Sequence, residues 1–151
     1  NAFALPDGTL IVTDELVALA GADAPVLAVL THELGHVQQR HGVRMLLQGS
    51  ATALFMAWYL GDISSLLATA PTALVQAGYS RDMEREADDF AVKLLLARGQ
   101  SPELLAGMLE KLAASHGEGL ASRSGPMGWL SSHPDTAERI ARLRGKDFII
   151  H

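Results

Sequence analysis

Between Asp23 and Gly42, Val26, Leu27, Val29, Leu30, Leu34 and Val37 recur at helical spacing, and His32, Glu33 and His36 stand in the middle of that run. A helix with this period turns its apolar residues toward a core. Three polar side chains inside such a run carry a desolvation cost that partners must offset. Any fold open to this chain has to surround that helix and give His32, Glu33 and His36 something to bind.

The chain has 151 residues, which suits one domain with a real core. With 48% apolar and 19% charged residues it belongs among compact domains rather than disordered ones. A net charge of −5 and scattered basic residues leave no stripe for nucleic acid. Arg139, Arg142 and Arg144 read as the solvated side of one short helix. There is no cysteine, so disulfides and thiolate ligands are excluded and a metal would need His, Asp or Glu. Asn1–Leu5 lacks the basic start and long apolar run of a secretory signal. Because it opens directly on strand-like residues, 1–151 is expected to be a single catalytic-type domain excised or processed from a longer protein.

Residues 2–5 and 9–13 read as strands around the turn triplet Pro6-Asp7-Gly8, with β-branched Ile11, Val12 and Thr13 favouring the second. Asp14 is a candidate cap for a short helix over 15–20. Asp23 with Ala24-Pro25 opens the long helix, which the pattern carries to about Gly42. The stretch 43–78 is the most apolar, but its uninterrupted part, 50–60, falls short of the roughly 20 residues a spanning helix needs. It reads as an apolar helical hairpin, either packed in the core or facing a membrane or partner through Met56, Trp58 and Leu60. Ser80 caps a helix through Arg98 that Gly99 stops. Ser101-Pro102-Glu103 opens another that ends before Gly117, the Gly- and Ser-rich 117–128 reads as a loop, and a last helix covers Asp135 to Leu143. The fold class is α+β, predominantly helical, with a small amino-terminal β-hairpin.

His32-Glu33-Leu34-Gly35-His36 matches H-E-x-x-H. Positions four apart on a helix differ by about 40° around its axis, so both imidazoles face one way and can share a zinc ion at about 2.0–2.1 Å. Glu33, about 100° from His32, can reach water beside the metal without ligating it, the place of a general base. A third ligand is needed. The metzincin pattern would put glycine and histidine where Gln39 and Gly42 stand, so it fails, and His41 comes one residue early and reads as a surface or second-layer residue. A carboxylate from 80–89 is the remaining source. Glu84 and Asp88 are four apart and share a face, while Glu86 points away from both. The same residues also suit a solvated acidic first turn, and His133 before Pro134 is as easily a cap as a functional group.

H-E-L-G-H followed by V-Q-Q-R-H-G, then S-R-D-M-E-R-E-A-D, then S-S-H-P-D-T-A-E-R-I, resembles the CAAX prenyl protease/HtpX-like zinc metallopeptidases, metallopeptidase family 48. The opening N-A-F-A-L-P-D-G-T-L-I-V-T is similar to that family's strand pair. The resemblance implies a zincin-like (gluzincin) domain with one Zn2+ held by His32, His36 and Glu84, Asp88 supporting an imidazole, and Glu33 as general base in peptide hydrolysis. It implies that His133 either stabilises the tetrahedral intermediate or occupies the open metal position; the proline after it favours the first. Arg81 and Arg139 are expected in structural ion pairs. Many members carry several membrane-spanning helices and this chain has none of full length, so it looks closer to the soluble or singly anchored bacterial envelope members. Envelope location, envelope protein quality control and a protein or peptide substrate follow from that likeness. An extended substrate would add to the strand at Thr9–Thr13. The alternative is a zinc-bearing interaction or chaperone-like module docking through 43–78, and a non-peptidase zinc hydrolase is a third reading. An intact Glu33 favours the peptidase.

Overall fold

A computed structural model describes residues 1–60, 79–117, 133 and 136–145. It begins with an antiparallel pair, β1 (Ala2–Ala4) and β2 (Leu10–Val12), in the register Ala2↔Val12, Phe3↔Ile11, Ala4↔Leu10. The expected turn closes it: Gly8 adopts φ 93°, which only glycine takes freely, and Asp7 Oδ1 accepts from Thr9 N at 2.9 Å. Helix α1 (Asp14–Ala20) is capped by Thr13, whose hydroxyl accepts from Leu16 N, so Asp14 is its first residue and not its cap. Gly21 ends it at φ 72°, and Lys111 Nζ donates to the terminal carbonyls of Leu19 and Ala20.

Helix α2 (Asp23–Gln38) runs through the middle of the molecule, but its apolar residues do not all face inward. Leu27 is 58% exposed and Leu34 38%, whereas His32, Glu33 and His36 are buried with Ala28, Val29 and Gly35. The inward stripe is the polar one, because it faces complementary polar groups on a neighbouring helix. The expected continuation to Gly42 is also corrected. Arg40 takes a left-handed φ of 55°, α2 stops at Gln38, and α3 (His41–Leu60) starts in a new direction.

On α3, Leu47, Leu54, Phe55, Trp58 and Tyr59 are exposed. No helix among the described residues is long and apolar enough to cross a membrane. The second half of the expected hairpin, 61–78, lies outside the described residues, as do the side chains of Met56 and Leu60 and the expected loop beyond Gly117.

Helix α4 (Arg81–Ala97) is capped by Ser80 accepting from Met83 N, as its sequence implies, and ends before Gly99 at φ 68°. Its buried side, Met83, Glu84, Ala87, Asp88, Ala91, Val92 and Leu95, lies along α2. A Cβ added at Gly35 would stand 2.9 Å from Ala87 Cα, so the two backbones touch there. Helix α5 (Glu103–Gly117) supplies Leu105, Met108 and Leu109 to a core shared with Ala2, Leu16 and Val29. Helix α6 (Thr136–Arg144) adds Leu143 and is tied down by charge pairs: Arg85 with Glu138 at 2.6 Å, Arg142 with Asp89, and Arg144 with Glu103 and Glu110. One residue of α6 departs from the solvated reading, since Arg139 is only 3% exposed and points at α4.

Candidate metal centre

The site forms where α2 and α4 touch. His32 and His36, one turn apart, converge until their Nε2 atoms are 3.0 Å apart. Glu84 reaches both, Oε2 to His32 Nε2 and Oε1 to His36 Nε2, each at 3.4 Å. His133 closes the group, with Nδ1 2.9 Å from Glu84 Oε1 and 3.4 Å from His32 Nε2. One atom from each of these four buried residues lies within 4.8 Å of all the others. Donors placed tetrahedrally at zinc bond lengths stand about 3.3 Å apart. The 3.0 Å between the two Nε2 atoms and the 3.4 Å from each of them to one or the other Glu84 oxygen lie near that spacing, and two neutral nitrogens with one carboxylate are a donor set zinc accepts.

His32, Glu84 and His36 are each braced from behind. His32 Nδ1 is 2.9 Å from Asp88 Oδ1, and Arg139 donates to both Asp88 oxygens at 2.7 and 2.8 Å. The same guanidinium meets Glu84 Oε2 at 2.5 Å. Arg139 is buried because Asp88 and Glu84 together compensate its charge, which a helical wheel of a short basic helix cannot reveal. His36 Nδ1 faces His41 Nδ1 at 2.8 Å, and His41 Nε2 meets Glu86 Oε2 at 3.0 Å. His41 is thus wholly buried beside the site, the second-layer placement, and Glu86, half exposed on α4, backs it. The Tyr79 ring lies on His36, centroids 3.9 Å apart and planes 19° from parallel; nothing in the sequence marked it. Glu33 is buried, with Oε1 3.5 Å from His133 Nε2.

The electrostatics match the geometry. Burial opposes charge on Glu84, but His133, His32 and His36 outweigh it and hold the carboxyl far below the usual range. Burial likewise pushes against the Asp88 charge, and His32 with Arg139 overcomes it to bring the pKa down to about 2. His36 is driven well below 6.5, chiefly by burial, so its ring is neutral. Burial and the nearby Glu33 and Glu84 charges push the Tyr79 phenol up to about 12.

Residues 1–147 match peptidase family M48. The chain belongs to that family. Metalloprotease LoiP of Escherichia coli K12 is 35% identical over 97% of this chain and 58% of its own length. The mitochondrial metalloendopeptidase OMA1 of Arabidopsis thaliana is 31% identical over 95% of this chain and 28% of its own. The β-barrel assembly-enhancing protease of Yersinia pestis is 28% identical over 97% of this chain and 32% of its own. The chain therefore spans well under two thirds of these M48 relatives. No solved structure matches it. Helices around one small hairpin are consistent with the zincin-like class expected for an M48 domain.

Proposed function

We propose that this M48 domain is the catalytic unit of a zinc-dependent endopeptidase, with zinc held by His32, His36 and Glu84. The reading rests on the convergence of the two Nε2 atoms, 3.0 Å apart, with the Glu84 carboxylate, one oxygen 3.4 Å from each, beside a buried Glu33. When bound, zinc supplies Lewis acidity that acidifies water and polarises a peptide carbonyl. The protein's own residues do the rest. Glu33 takes the proton from the attacking water and returns it to the leaving amine. Asp88 and Arg139 keep His32 and Glu84 in place, and Asp88 holds the proton of His32 Nδ1 so that Nε2 presents its lone pair. His133 Nδ1 sits at the fourth corner of the donor group, so its ring closes the site at rest with Nε2 on the side of Glu33.

A crevice beside His36 is lined by Ala4, Leu5, Pro6, Val37 and Tyr79. Its strand wall comes from the end of β1. We therefore assign docking of an extended peptide to the β1 side of the hairpin rather than to Thr9–Thr13. For location we retain the bacterial cell envelope, supported by the likeness to bacterial LoiP and to a protease named for β-barrel assembly.

Degradation of casein by the purified protein, with chelator and then with zinc restored, tests the reading. Loss and recovery of cleavage support it, and cleavage that ignores the chelator overturns it. The exposed apolar residues of α3, Trp58 at 80% and Leu54 at 70%, favour one second reading, an interaction module that docks a membrane or partner there. That module would hold zinc and leave casein intact.

A further inference from the structure

We infer that His41, backed by Glu86, is the positioning residue for His36, doing for that imidazole what Asp88 does for His32. The inference rests on the zinc site proposed above and adds to it His41 from α3 and a further carboxylate of α4.

The two inner histidines are served unequally. His32 Nδ1 has a carboxylate directly against it, Asp88 Oδ1 at 2.9 Å. Among the described residues His36 Nδ1 meets instead another imidazole, His41 Nδ1, at 2.8 Å. Proton roles along this chain are fixed by its inner end. His36 Nε2 points at His32 Nε2 and Glu84 and must offer a lone pair to a metal, so its proton is on Nδ1, which donates to His41. His41 Nδ1 then accepts, its own proton is on Nε2, and that nitrogen donates to Glu86 Oε2 at 3.0 Å. Each link has one donor and one acceptor, with a carboxylate at the outer end. A metal-bound imidazole held this way is fixed in tautomer and ring orientation, and made a stronger donor.

The local fold is built to make this contact. Five residues apart on one continuous helix, His36 and His41 would point about 140° apart. The left-handed turn at Arg40, φ 55°, breaks the helix between them and returns His41 onto His36. His41 is wholly buried there, although α3 beyond it is largely exposed. Arg44, one turn further on, donates to the same Glu86 oxygen at 2.9 Å and steadies it beneath His41. That outer pair is exposed and contributes little alone.

The test is zinc affinity, measured by competition with a chelator, together with the visible spectrum of the cobalt-substituted protein. His41→Ala is expected to weaken zinc about 10- to 100-fold, the usual effect of removing such a support. It should also shift the cobalt bands, because His36 can then rotate. His41→Asn restores an acceptor oxygen for His36 Nδ1 and should recover most of both. Glu86→Ala, at a side chain 42% exposed, leaves the fold intact and should give an intermediate loss. Wild-type affinity and an unchanged cobalt spectrum in Glu86→Ala and in folded His41→Ala would overturn the inference while leaving the zinc site standing. Failure of the wild type itself to bind zinc would remove the site reading first and this inference with it.

Discussion

Gly35 lies so close to Ala87 that a Cβ at position 35 would stand 2.9 Å from both the Ala87 Cα and its carbonyl oxygen. Gly35 sits one residue before His36, and Ala87 one residue before Asp88. Their contact brings the histidines of α2 within reach of the carboxylates of α4. Gly35→Ala would gain about 1 kcal/mol of helix propensity, but the atoms it meets are backbone and cannot rotate away. Overpacking costs about 1–3 kcal/mol, so the variant should be less stable in denaturant and bind zinc more weakly. A more stable variant with normal zinc binding would show that the close approach does not set the site.

Glu33→Gln should preserve the fold and the zinc while lowering peptide hydrolysis by about 10²- to 10⁴-fold, as expected for loss of a general base. The measurement is turnover of a short peptide alongside zinc content. Unchanged turnover takes Glu33 out of the mechanism.

His133 has its Nδ1 at the fourth corner of the donor group and its Nε2 on the side of Glu33. If the ring closes the site at rest, His133→Ala should raise hydrolysis of a short peptide. A loss of about 2–4 kcal/mol in kcat/KM would instead give His133 the transition-state role.

Zinc binding should depend on pH through His32. Burial and the Arg139 charge disfavour its protonation, yet hydrogen bonds with Asp88 and Glu84 outweigh them and raise its pKa from 6.5 to about 9. In the metal-free protein, a raised folded pKa contributes stability that is complete below 6.5 and is lost as pH climbs through 9. Zinc needs the neutral ring and must displace that proton, so its apparent affinity should rise about tenfold per pH unit between 6.5 and 9. Thermal melts of the metal-free protein and zinc titrations corrected for the chelator's protonation check the two signs. A melting temperature that rises across this window with affinity unchanged would contradict the assignment.

Much of the site was legible because it is local. H-E-x-x-H needs only the helical period to aim His32 and His36 together, and Glu84 and Asp88 share a face by the same arithmetic. Ser80 and Gly99 marked the ends of α4 through ordinary capping chemistry. What escaped the sequence depends on packing between elements. Leu27 and Leu34 look like core residues until α4 offers carboxylates to the opposite stripe of α2. Arg139 looks solvated until Asp88 and Glu84 surround it. The break at Arg40 carries no glycine or asparagine to announce a left-handed residue, so α2 was expected to run too far, and the return of His41 onto His36 was hidden with it. Gly35, a glycine within a helical pattern, was the one available signal of a close helix crossing.

Elemental analysis of the purified wild type and Glu84→Ala decides whether zinc is held by His32, His36 and Glu84. One zinc per chain is expected in the wild type and loss of that zinc in the variant, with the helical fold retained. Full zinc retention in a folded Glu84→Ala, or a wild type that takes up no zinc, would contradict that ligand set.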